Sequence, residues 1–145
     1  MQPVTLEPLH QVEYSVEDLS YSERFFAEVF GEKEVEASFS RALSNPALEI
    51  RHCGLGLTVQ QLCQPLMPGL PHHDALQRVG NCVHNLCFLV DDIDNIVANA
   101  DDVGIGALIE FPLTEIWEQD IAPENLCGNH HSCILETQAL LGFQL

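Results

Sequence analysis

The feature that most constrains the fold is an internal repeat. His10-Gln11-Val12-Glu13-Tyr14-Ser15-Val16-Glu17-Asp18-Leu19 reads against His84-Asn85-Leu86-Cys87-Phe88-Leu89-Val90-Asp91-Asp92-Ile93, an offset of 74 in a chain of 145 residues. Val12, Tyr14 and Val16 match Leu86, Phe88 and Val90 at period two, which is a strand with one apolar face. Each stretch then meets an acid, an aliphatic residue and a helical stripe. In the first copy Ser20 and Glu23 read as a capping box. Phe25, Phe26, Val29 and Phe30 come next as the stripe, and Gly31 as the stop. In the second, Asp92 or Asp94 caps, Ile93, Ile96, Val97 and Ala100 form the stripe, and Gly104 ends it.

The segment after each helix reads as further strand. The first half offers 35–41, 48–53 and 57–63, with Gly54 and Gly56 at a hairpin turn between the last two. Residues 65–71 carry prolines that break a ladder and read as a linker, with a short helix after it over 72–79. The second half offers 107–111, a loop over 112–129, then strands at 131–136 and 141–145. Each half is therefore β-α-β-β-β. The expected architecture is α+β: two βαβββ modules forming a curved mixed sheet around a cavity. Module one covers about 8–65, the linker 66–82 and module two 83–145, all as a single domain.

Charge limits the partners. Twenty-two acidic residues face five basic ones, for a formal charge of −17. Such a surface repels phosphate backbones and anionic lipid, so nucleic acid and membrane are not expected as partners. No apolar run approaches the roughly 20 residues that cross a bilayer. The first ten residues lack Lys and Arg and do not read as a secretory signal. Six cysteines occur without a C-x-x-C pair, as in a cytoplasmic protein with reduced thiols.

These segments resemble the vicinal oxygen chelate superfamily, which includes glyoxalase I, methylmalonyl-CoA epimerase, extradiol dioxygenases and bleomycin-resistance proteins. The matching stretches are HQVEYSVEDLSYSERFFAEVFG, VQQLCQP, VHNLCFLVDDID and SCILETQALLGFQL. The resemblance implies paired βαβββ modules and a metal site with one ligand from the first and last strand of each module. Carried onto this chain, those positions fall on Gln11, Gln61 and Asn85, and the fourth would come after Leu145. Three neutral amides make a weak site, because divalent ions favour carboxylate, imidazole or thiolate. No cofactor is therefore expected, although a divalent metal remains possible; with one present, the expected ligands are Gln11, Gln61 and His84. A one-residue change of register would put His10 and His84 in place of Gln11 and Asn85. By parity, His84 should point to the face opposite Asn85.

Period two brings Glu13 to the face of Gln11, and Cys87 to that of Asn85. Glu13 is the candidate catalytic base, its pKa expected to rise by burial. Gln11, Gln61, Asn85, Cys87 and Trp117 are the candidate substrate-binding residues, with Trp117 roofing the pocket. His72 and His73 read as solvated linker residues and His52 as structural. Two functions stand. One is a lyase or isomerase that abstracts a proton next to a carbonyl and holds the enolate with polar groups. The other is a metal-free protein that sequesters a cationic or aromatic small molecule. The resemblance also implies a homodimer.

Overall fold

The computed structural model describes residues 4–31, 44–112, 131–142 and 144–145. The elements are β1 (Leu6–Ser15), α1 (Leu19–Phe30), β2 (Leu48–Leu55), β3 (Thr58–Pro65), α2 (Pro71–Val79), β4 (Cys82–Val90), α3 (Ile93–Asp102), β5 (Ala107–Pro112), β6 (His131–Leu135) and α4 (Gln138–Leu141). The architecture is α+β. Each half gives strand, helix, strand, strand in that order. The strand expected over 35–41 lies outside the described residues. The chain divides into two compact units, 9–87 and 1–8 with 88–145.

The repeat is visible in the capping chemistry. Asp18 caps α1 by accepting a hydrogen bond from Tyr21 N at 2.8 Å. Asp92, 74 residues later, caps α3 by accepting one from Asn95 N at 3.0 Å. In both, a strand leaves the sheet in extended conformation at an aspartate whose carboxylate satisfies a free helical N–H. Ser20, expected as the first cap, lies inside α1. The helix starts two residues before the sequence pattern suggested, because Asp18 is already at the strand exit with the stronger acceptor. Gly31, at φ 70°, ends α1 in the left-handed conformation that an L side chain rarely adopts.

A four-stranded mixed sheet runs in the order β2-β3-β1-β4. β2 and β3 form an antiparallel hairpin that turns at Gly56, at φ 63°. β3 then pairs parallel with β1, a crossover made through α1 and β2. One face of β1 sends Tyr14 to Phe26 of α1, with ring centroids 6.1 Å apart. Below them, Val16, Leu19, Cys53 and Leu62 form a buried cluster. Tyr14 also donates its hydroxyl hydrogen to Gln60 Oε1 at 2.9 Å, which gives the buried Gln60 amide a partner for its oxygen. The apolar face of β1 therefore meets a helix, and its alternate face is free for polar side chains.

In the unit formed by 1–8 and 88–145, α3 lies on an antiparallel β5–β6 hairpin with a bulge between Ala107 and Ile109. Of the strand expected over 141–145, Leu141 instead ends α4, and residue 143 lies outside the described residues. Gly142, at φ 83°, stops that helix, and Gln144 makes a bridge beyond it. No helix among the described residues is long and apolar enough to cross a membrane.

Replacing either helix cap by alanine removes the side-chain acceptor of a helical N–H. Asp18→Ala and Asp92→Ala are each expected to destabilise the fold by about 1 kcal/mol, read as a shifted midpoint in urea unfolding. An unshifted midpoint in both would remove the capping account.

Candidate functional site

The site is a row of polar side chains laid across the sheet by its register. His52 on β2 faces Gln61 on β3, and Gln61 faces Glu13 on β1. β4 is next in the sheet and contributes His84 and Asn85. The row therefore runs His52, Gln61, Glu13, then His84 with Asn85, all within the unit 9–87. α2 adds His72 from its first turn, where Pro71 opens the helix with its fixed φ and missing N–H.

Glu13 is the centre. Its side chain is 12% exposed. Oε1 accepts hydrogen bonds from Asn85 Nδ2 at 2.6 Å and His72 Nε2 at 2.9 Å. His84 Nδ1 lies 3.3 Å from the same oxygen without the alignment of a hydrogen bond. Oε2 accepts one from Gln61 Nε2. The rings of His72 and His84 stack at 4.2 Å between centroids and 18° between planes.

A second tier fixes the first. Gln61 Oε1 accepts from Gln11 Nε2 at 2.8 Å and meets His52 Nε2 at 2.9 Å. With the Gln61 amide turned so that its nitrogen faces Glu13, His52 must carry its proton on Nε2. Burial holds the His52 imidazole below its ordinary pKa despite its contact with Gln61 and the charge of Glu13, in keeping with a neutral ring. Gln61 Nε2 also lies 3.4 Å from Cys63 Sγ. The amide thus has both of its ends committed.

The charge state of Glu13 departs from expectation. Burial pushes its carboxyl up, as a lone buried acid would behave. The His72 hydrogen bond, the His84 nitrogen and the charge of both rings outweigh this, and the carboxyl is lowered to about 2. The expectation of a raised pKa fails because one strand's pattern does not reveal the donors that converge on the carboxylate. Cys63 and Cys87 are pushed up by burial and by the charge of Glu13, so both remain thiols at neutral pH.

Four of the expected residues, Gln11, Glu13, Gln61 and Asn85, come together, and Cys87 lies near enough to feel the charge of Glu13. Trp117 lies outside the described residues. His72 and His84 correct the sequence reading. His72 lies in the short helix expected over 72–79, but it is not solvated as expected: it packs against Glu13 at 15% exposure. His84, expected on the opposite face from Asn85, reaches the same oxygen of Glu13 as Asn85 does. Alternation governs where each Cβ leaves the strand; it does not stop two successive side chains from approaching one neighbouring atom.

The amide positions do not fit a divalent ion. Gln61 Oε1 is occupied by two N–H groups and its nitrogen is turned toward Glu13, while the Gln11 amide is engaged by Gln61. Of the expected set Gln11, Gln61 and His84, the two amides are engaged with each other, and His84 lies instead beside Glu13. The donors that do converge are Glu13, His72 and His84, whose ligand atoms lie within 4.8 Å of one another.

No protein-family model matches the chain, and no curated protein does. Solved structures do. Methylmalonyl-CoA epimerase from Mycobacterium tuberculosis superposes with TM-score 0.67 and 14% identity, over 99% of this chain and 88% of that one. Methylmalonyl-CoA epimerase from Streptomyces coelicolor, in complex with 2-nitronate-propionyl-CoA, gives 0.66 and 15%, over 97% and 94%. A hypothetical protein from Bacillus halodurans C-125 gives 0.66 and 13%, over 94% and 88%. At these identities the likeness is one of fold.

The depressed pKa of Glu13 makes a stability prediction for chelator-treated protein. In the unfolded chain the carboxyl returns to its ordinary value of 4.5, above its folded value of about 2. Its ionised form therefore stabilises the fold fully above pH 4.5, by about 3 kcal/mol, and this is lost as the pH falls toward 2. The urea-unfolding advantage of the wild type over Glu13→Gln should shrink between about pH 5 and pH 2.5. An advantage that stays constant over that range would contradict the assignment.

Proposed function

From the glyoxalase-like fold of the vicinal oxygen chelate superfamily, which this chain carries, we propose that the protein is a small-molecule isomerase or lyase moving a proton next to a carbonyl. The observation that carries this reading is the buried ionised carboxylate of Glu13, flanked by two imidazoles and held by amides on a rigid sheet. Sites on strands hold such groups in fixed geometry, which proton transfer to and from carbon requires.

Proton loss beside a carbonyl leaves an enolate, and its oxygen must meet N–H groups or positive charge. Glu13 alone would oppose that charge. It is also a poor proton acceptor, since a carboxyl with pKa about 2 is protonated in roughly one molecule in 100,000 at pH 7. In this reading Glu13 is the anchor that fixes the imidazoles, a change from the catalytic-base role expected from sequence. One imidazole of the His72–His84 pair, as a neutral ring, takes the proton from carbon, and the charge it gains, or a cation held beside Glu13, is the positive counterpart of the enolate. Gln11, Gln61 and Asn85 brace the carboxylate, and Cys87 is a small neutral neighbour.

The substrate in this proposal is compact and neutral. The chain has five basic residues in all. Arg51 lies 2.9 Å from Glu49, and Arg24 lies 4.0 Å from Glu28. Against 22 acidic residues, five basic ones offer little to the phosphates of an acyl-CoA, so we favour a small ketone or hydroxyketone. A homodimer belongs to the same proposal and is read by the mass in solution.

A second reading, a sequestering protein for a cationic ligand, is favoured by the ionised Glu13 and the −17 charge. Loss of the α-proton signal in deuterium oxide separates the two. Across a panel of small ketones and hydroxyketones, the wild type is expected to exchange at least one, and Glu13→Gln to slow that exchange about 100-fold or more. No exchange with any compound, alongside Glu13-dependent binding of a cationic aromatic dye, would replace the enzyme reading with the sequestering one.

A further inference from the structure

We propose that Glu13, His72 and His84 form a binding site for a divalent first-row transition-metal ion. The inference deepens the reading above by naming the cation that would balance Glu13, and its test does not depend on turnover. Two imidazoles and one carboxylate are a donor set suited to zinc, iron(II), cobalt(II) or manganese(II), and three protein ligands leave positions open for water or substrate oxygen.

The spacing fits. Glu13 Oε1 lies 2.9 Å from His72 Nε2 and 3.3 Å from His84 Nδ1. Two ligand atoms each about 2.0–2.1 Å from one ion sit about 2.9 Å apart at an octahedral angle and about 3.4 Å apart at a tetrahedral one. Two edges of a coordination polyhedron are therefore already in place. The three ligands come from β1, α2 and β4, so the site exists only in the folded chain. The stack of the two rings keeps both nitrogens at the same oxygen.

A second observation is independent of that spacing. His84 is 6% exposed, and its Nδ1 has no hydrogen-bond partner. Asn85 Oδ1 is also buried without one. Buried polar atoms without partners are costly, and a neutral imidazole nitrogen in that position is free to bind a metal ion. An ion beside Glu13 would give His84 Nδ1 the partner it lacks. The remaining neighbours already act as outer supports. Asn85 Nδ2 and Gln61 Nε2 hold the carboxylate, and His52 holds Gln61.

The test uses full-length protein stripped with a chelator and titrated with zinc by calorimetry, and with cobalt(II) by visible absorption. The expected result is one equivalent bound, with cobalt(II) bands of a nitrogen and oxygen ligand field. His72→Ala and His84→Ala should each weaken zinc binding about 100-fold or more, whereas a change at the exposed His10, His10→Ala, should alter it less than about threefold. In wild-type protein, which needs no variant to fold, zinc should move the ring-nitrogen NMR signals of His72 and His84 and leave that of His52 in place. Absence of stoichiometric binding, or binding that leaves the His72 and His84 nitrogens unmoved, would overturn the proposal. Metal bound without proton exchange would overturn only the isomerase reading, and proton exchange without metal only this one.

Discussion

The structure of the unit 9–87 depends on how one buried carboxylate is satisfied. Removing a charge from water costs several kcal/mol unless its oxygens find partners. Glu13 finds them on three elements: Gln61 on β3, Asn85 on β4 and His72 on α2. Each of these elements is therefore placed by its apolar packing and also by a donor that must reach one side chain. Truncating a single donor would leave a buried lone pair exposed to the apolar surroundings. Truncating Glu13 would leave several N–H groups without an acceptor.

The same strand explains how the fold tolerates such a charge. β1 commits one face to the core through Tyr14 and Val16, and the burial of Leu19 and Leu62 beside them stabilises the sheet. Its other face is then free to carry Gln11 and Glu13. The parallel pairing with β3 sets Glu13 against Gln61, and the β2–β3 hairpin sets Gln61 against His52. One register choice thus assembles the row, and a slip of one residue would turn every member of it toward the helix.

Much of the fold is legible in the repeat, because period-two strands and capped helices are local signals. Gln11, Glu13, Gln61 and Asn85 are reachable by the same logic, through parity and the hairpin. Parity does not supply distance. His72 lies 59 residues from Glu13, and only the packing of α2 brings them together. The sign of the Glu13 shift is hidden for the same reason: burial is foreseeable from one strand, but the donors that reverse its effect come from others. Ser20 and Leu141 mislead where two local signals compete, a serine against a nearer aspartate and an apolar run against the glycine that ends α4.

The central claim is that Glu13 is an ionised carboxylate held by converging donors. The most direct measurement is the side-chain carboxyl ¹³C shift of Glu13 in chelator-treated protein, assigned by its absence in Glu13→Gln and tracked from about pH 7 downward. The account predicts a flat signal through about pH 4 and a titration near pH 2. A titration at or above the ordinary value of 4.5 would contradict it.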